Sequence, residues 1–183
     1  MYNPYIEGKQ IYLRHPTEED VESKWHEWFS DEDTTANLVD RYWPNSQESQ
    51  RRFYQSLFSG RNHLLVLSIV DKETDTHIGV CSLGGINWVH RYSNFAVVLG
   101  EKQFRKGSYA FESISLLMRT AFVRFNLRVV KGAYVEVNEF TKQLMKVARF
   151  REVGVYEKLI HVNGKYHDLV MVMLDRDTWL ARN

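Results

Sequence analysis

The stretch from Asn94 to Phe125 narrows the possible folds more than any other part of the chain. Asn94 to Leu99 has strand character and closes on Gly100, a polar and basic loop follows, and from Tyr109 to Phe125 the apolar residues change period. Ala110, Ile114, Leu117, Ala121 and Phe125 define one stripe at helical spacing, which makes this the longest helix in the sequence. Arg128 to Val135 then returns to strand character. A strand, a long amphipathic helix and a second strand in succession imply an α/β fold of the α+β kind, with helices packed on a sheet.

The rest of the chain fits around that unit. Ile11 and Leu13 alternate within a short strand, Gln10 to His15. Thr17 with Asp20 three residues on has the form of a helix N-terminal capping box, and Val21, Trp25, Trp28 and Phe29 continue on one helical face. Asn45 with Glu48 repeats the logic for a second helix that stops at Gly60. His63 to Val70 and His77 to Leu83 read as a hairpin, followed by a break at Gly84-Gly85 and a loop around His90 and Arg91. Glu139 to Ala148 is a further helix, and Asn163-Gly164 between apolar runs marks a closing hairpin, Val155 to Val162 with Lys165 to Leu174.

Composition excludes several classes of function. The 183 residues suit a single domain, 1–183, with 44% hydrophobic residues to fill one core. Lys and Arg number 24 against 23 for Asp and Glu, so no overall field drives binding to nucleic acid or anionic lipid. Cys81 is the single cysteine, which excludes a disulfide framework and Cys-rich zinc sites; it reads as a buried thiol, and a cytoplasmic setting fits. The histidines lack metal-ligand spacing, and no apolar run approaches the roughly 20 residues that span a bilayer. Met1 to Lys9 lacks the order of a signal peptide.

The loop before the long helix carries the first chemistry. The opening turn of a helix has unpaired amides and the positive end of the dipole, and phosphate binds there without specific side chains. Phe104, Arg105, Lys106, Gly107, Ser108, Tyr109 and Ala110 surround that turn.

Gly100 to Glu112, Ala121-Phe122, Asn126 to Val129, Asn138-x-x-Thr141 and Phe150 with Glu152 and Gly154 together resemble the GNAT superfamily of acetyl-CoA-dependent N-acetyltransferases. The resemblance covers Tyr12 to Trp179 and is nearest to the branch with protein N-terminal and amino-sugar acetyltransferases. Tyr12-Leu13-Arg14, Trp28 and Asn163 to Asp168 tilt it toward the sugar group. It implies a mixed sheet whose fourth and fifth strands, Asn94 to Leu99 and Arg128 to Val135, splay to admit pantetheine. Backbone at Val97, Val98 and Leu99 would pair with its amides, and Asn138 and Lys142, one helical turn apart, would face CoA.

Three departures stand out. In the family loop Arg/Gln-x-x-Gly-x-Gly/Ala this chain reads Arg105-x-x-Ser108-x-Ala110, where Ser108 either caps the helix or donates to phosphate. Arg149 precedes Phe150 where glycine is usual, and Met145 stands where many relatives have the tyrosine that protonates the leaving thiolate. Deprotonating an alkyl ammonium at pH 7 costs roughly 4 kcal/mol, so a base or a water relay must assist. Glu136 and His90 are the candidate bases, Asn94 can orient water, and Tyr134 or solvent is the candidate proton donor. Trp25, Trp28, Tyr42 and Trp43 either line the acceptor pocket or pack in the core.

The expected activity is direct acetyl transfer from acetyl-CoA to an amine, with no metal. The expected acceptor is a nucleotide-linked amino sugar; a protein N-terminus or another small amine is the alternative. A GNAT-fold CoA-binding or regulatory protein without turnover is the rival class, and a homodimer is the expected association.

Overall fold

One long helix covers one face of a sheet, and short helices cover part of the other, over the strands within residues 64–99. The computed structural model of the chain describes residues 2–36, 38, 43–60 and 62–181. Asp20 reaches back to the Thr17 amide (2.9 Å), and α1 (Glu18–Glu22) starts where the capping pattern predicts. The single helix expected from there is two: Ser23 turns extended and its hydroxyl donates to the Asp20 carbonyl (2.7 Å), which ends α1 before α2 (Trp25–Trp28). A further turn, α3 (Glu32–Thr35), is capped by Asp31 and has no counterpart in the sequence reading. The cap of α4 (Gln47–Ser56) is Ser46 rather than Asn45, whose amide instead donates to Gln50.

Among the described residues the sheet has eight strands in the order β1-β2-β3-β4-β5-β6-β8-β7. They are β1 (Ile6–Glu7), β2 (Ile11–Arg14), β3 (Leu64–Asp71), β4 (His77–Asn87), β5 (Tyr92–Leu99), β6 (Val129–Val135), β7 (Arg151–Val162) and β8 (Lys165–Asp175). Gly84-Gly85 does not break the chain; β4 runs through it with a register shift and Gly85 at φ +58°. Because β1 precedes the strand foreseen as first, the splaying pair is β5 and β6. Their pairing is the one parallel contact among the described residues, and a parallel pair needs a crossover, supplied by α5 (Gly107–Arg119) and the wider π turn Thr120–Arg124. α6 (Glu139–Val147) links β6 to β7, and α7 (Arg176–Leu180) follows β8.

Two clusters of buried side chains cover opposite faces. Ile114, Leu117 and Phe122 of the crossover pack on Leu13, Leu67, Cys81 and Val130. Neighbouring positions Val66, Val80 and Val98 point the other way and pack under Val21, Trp25 and Trp28. That second layer stops at β5, so among the described residues no helix covers β6, β8 and β7 on its side. The carboxylate of Asp20 is buried beneath it, accepting from both terminal guanidinium nitrogens of Arg14 (2.6 and 2.7 Å) and from the Ser68 hydroxyl (2.7 Å). No helix among the described residues is long and apolar enough to cross a membrane.

Candidate active site

β5 and β6 pair over three rungs, Tyr92 with Val129, Ser93 with Val130 and Asn94 with Lys131, and then part. Both strands continue, to Leu99 and to Val135, so a wedge opens between them. The register decides which backbone groups line it. The Gly100 amide donates to the Ile78 carbonyl (2.9 Å), which turns the even residues of β5 toward β4 and leaves the odd ones, Phe95, Val97 and Leu99, facing the gap. On β6 the Glu136 amide donates to the Asp168 carbonyl (3.0 Å), which commits the even residues to β8 and turns Ala133 and Val135 into the gap. On the α5 face the ring of Phe95 lies over Gly132, where a Cβ would approach it to 2.5 Å, and packs at a tilt against Phe150 with centroids 4.9 Å apart.

Beyond the end of β5, a 3-10 turn (Lys102–Phe104) leads into α5. The amides of Gly107, Ser108 and Tyr109 have no acceptor among the described residues, and a Cβ at Gly107 would meet nothing within 4 Å. Three free amides at the positive end of a 13-residue helix, with open space before them, suit a diphosphate. The wedge suits an extended chain bearing amides.

Residues 10–151 match the acetyltransferase (GNAT) domain family. The chain belongs to that family. This acetyltransferase uses acetyl-CoA as cosubstrate, and its free amides and open wedge fit that molecule. Its fold is shared with the spermidine N-acetyltransferase from Vibrio cholerae in complex with CoA and spermine (TM-score 0.85, 19% identity, covering 93% of this chain and 98% of that one). It is shared also with RimL, a ribosomal L7/L12 alpha-N-protein acetyltransferase in complex with coenzyme A (TM-score 0.80, 20% identity, 93% and 97%). A GNAT-family acetyltransferase from Bacillus anthracis follows at TM-score 0.77 and 17% identity, covering 94% and 98%. No curated protein sequence matches the chain.

The acetyltransferase's own side chains redistribute the roles read from sequence. Val97 and Leu99 keep backbone toward the wedge; Val98 does not, because its main chain pairs with Val80 and its side chain is buried under α2. Arg105 does not reach forward to the free amides. Its guanidinium donates to the carbonyls of Leu99 (3.1 Å) and Gly100 (3.0 Å) and to the hydroxyl of Thr34, and lies 3.5 Å from Asp31, so it pins α3 to the end of β5. Lys106, at the N-cap, is the exposed cation at the turn. Ser108 does not cap: the helix begins one residue earlier, and the side chain stands exposed in its first turn. Phe104 packs edge-on to Tyr109 (5.4 Å), Tyr109 donates to Asp71 (3.0 Å), and Ala110 is buried. Asn138 caps α6 by accepting from the Thr141 amide (3.0 Å), and Lys142 pairs with Glu139 (3.2 Å).

The catalytic candidates are spread out. Asn94 is exposed on the last shared rung, at the vertex of the wedge. Glu136 lies at the open end, five residues beyond Lys131 and so about 16 Å along the strand. It is exposed, accepts from the Asp168 amide (3.2 Å) and lies 3.3 Å from the His167 ring. His90 sits in the loop before β5, its ring parallel to that of Tyr92 at 6.4 Å. Tyr134 is buried and donates to Glu152 (2.7 Å); burial and that carboxylate push its pKa up to about 12, which makes it a poor acid for a thiolate. Met145 is buried in the core.

Trp28 does not line a pocket. It is buried against Gly100, and its indole donates to Glu101 (3.1 Å). Trp43 is 82% exposed, Trp25 is buried, and Tyr42 lies outside the described residues. No cluster of metal-ligating side chains occurs among the described residues. Sequence reasoning missed Phe95 and the odd-even choice of backbone, since neither is visible before the register is known.

Proposed function

We propose that the protein acetylates the amine of a small molecule, with an amino sugar as acceptor, by direct attack of the neutral amine on the acetyl-CoA thioester. The observation that supports this reading most is the wedge that opens past Asn94 and Lys131 and runs toward the free amides of Gly107, Ser108 and Tyr109. The diphosphate takes those amides and the Lys106 charge, and pantetheine runs back along Phe95, Val97 and Leu99. The thioester then comes to the vertex beside Asn94. An amide or carbonyl there polarises the thioester, because a donor aimed at the developing oxyanion stabilises the transition state over the ground state.

Proton traffic follows from the same placement. With Glu136 at the far end of the wedge and His90 in the preceding loop, Asn94 orients a water that relays the ammonium proton to solvent. Solvent likewise returns a proton to the CoA thiolate, since Tyr134 is held by Glu152. The reading is tested by mixing the protein with acetyl-CoA and a panel of amino sugars, nucleotide-linked amino sugars, polyamines and peptides, and following free CoA thiol and acceptor mass. Thiol release with one amine supports it. CoA binding with no transfer to any amine would favour a regulatory protein without turnover, and no binding at millimolar acetyl-CoA would remove both.

A second copy of the chain is the proposed partner at the outer edge of β7, where Val153, Val155 and Leu159 are each about half exposed on a strand paired on one side only. Light scattering at micromolar concentration checks this.

A further inference from the structure

Next to the vertex, on the face that α1, α2 and α4 leave bare, the sheet forms the floor of a cavity of about 590 Å³. Lys131, Met173 and Arg151 follow Asn94 across four strands in one row, so their side chains share a face. Tyr92 and Asp175 belong to the next row, and Arg91, Arg128 and Arg176 stand at its edge. The cavity thus has five cations against the carboxylates of Asp175 and Asp177.

Those cations are not consumed by the fold. Among the described residues, the guanidinium groups of Arg91, Arg128 and Arg151 donate no hydrogen bond and make no ion pair within 4 Å, and Lys131 lies over the Tyr92 ring, 4.5 Å from its centre. The Arg176 guanidinium donates to Asn126 (2.5 Å), and its Nε is buried without a partner. Asp175 is already engaged: it caps α7, accepting from the amide (2.8 Å) and hydroxyl (2.9 Å) of Thr178. Five cations face two carboxylates, of which Asp175 already feels Arg151, and the remaining excess of positive charge suits a bound anion.

Resting on the acetyl-transfer reading, we propose that this cavity is the acceptor subsite and that the acceptor is an amine carrying a phosphate. The cavity starts one strand, about 4.8 Å, from Asn94 and ends at Arg151, about 14 Å away. An amine at the vertex therefore places a phosphate about seven bonds further on, the separation in a hexosamine 6-phosphate, among the side chains of Lys131, Arg151 and Arg128. The cosubstrate's diphosphate does not compete, because its amides lie at the other end of the wedge, past Leu99. The same charges disfavour a polyamine.

The test compares acceptors that differ only in the phosphate. With the full chain and acetyl-CoA, kcat/KM for glucosamine 6-phosphate exceeds that for glucosamine by about ten-fold or more, as expected for one charge-assisted contact. Arg151→Glu and Arg128→Glu, both at exposed positions, each remove most of that preference and leave the affinity for acetyl-CoA unchanged, with melting curves confirming the fold. Calorimetry of glucosamine 6-phosphate on the CoA-loaded protein reads the site independently of turnover. No binding in that experiment overturns the proposal, as does equal use of the two sugars or insensitivity to both charge reversals. A preference for spermidine or for an acidic peptide would overturn it while leaving acetyl transfer intact. Failure to bind acetyl-CoA would instead remove the reading beneath it.

Discussion

Replacing Arg149 by glycine should stabilise the protein, although it removes a charged side chain. α6 ends in a paired capping arrangement: the Phe150 amide donates to the Met145 carbonyl (2.9 Å) and the Arg149 amide to that of Lys146 (3.0 Å). Met145 and Phe150 are both buried in the larger core, so the turn that joins them is held in place. Arg149 occupies the left-handed position of this motif at φ +63°. A residue with a Cβ is disfavoured there by roughly 1–2 kcal/mol, and among the described residues the side chain makes no hydrogen bond or ion pair that offsets it. Glycine removes that strain but loses about 0.4–1 kcal/mol through a freer unfolded chain. The net gain is about 0.5–1 kcal/mol, or roughly 1–4 °C in Tm for a domain of this size. Urea unfolding of wild type, Arg149→Gly and Arg149→Ala measures it, the alanine variant keeping the Cβ while removing the charge. The glycine variant should exceed both. Equal stability of the glycine and alanine variants would refute the argument from backbone conformation.

Gly107→Glu sets a side chain and a negative charge before the free amides of α5; calorimetry should show acetyl-CoA affinity falling at least about ten-fold, and unchanged affinity would place the diphosphate elsewhere. Tyr134→Phe should keep kcat within a few-fold, since its hydroxyl is bound to Glu152; a hundred-fold loss of thiol release would restore it as the proton donor. Burial lowers the pKa of His77, whose side chain is 7% exposed, to about 4 and holds it neutral, although Asp20 pulls the other way. The folded state therefore binds fewer protons than the unfolded state between pH 6.5 and 4, and stability falls across that window by up to about 3 kcal/mol as the solution is acidified. His77→Gln should flatten that slope in urea melts taken at pH 4.5 and 7; an unaltered slope would assign it to other groups. Asp20→Asn should cost about 3–5 kcal/mol in the same melts at pH 7 by leaving the buried Arg14 charge uncompensated, and a loss under 1 kcal/mol would show that solvent reaches the pair.

Local chemistry was legible in the residues themselves. The Thr17 cap, the stripe from Ala110 to Ala121, the Asn163-Gly164 turn and the strand before Gly100 each follow from contacts within a few residues, where sequence spacing and spatial spacing are tied. So was the parting of β5 from β6, through the family resemblance. The destination of Arg105 was not, because which carbonyls it meets depends on how α3 lies against the end of β5. Nor was the choice between Val97 and Val98, since one backbone edge differs from the next only once β4 is paired in register. The cationic cavity is the extreme case: Arg91, the pair Arg128 and Lys131, and Arg151 come from three separate segments and line one cavity only because three strand pairings bring them there. Periodicity determined what the elements are; long-range register decided which of their groups meet, because hydrogen bonds between distant strands have no counterpart in local order.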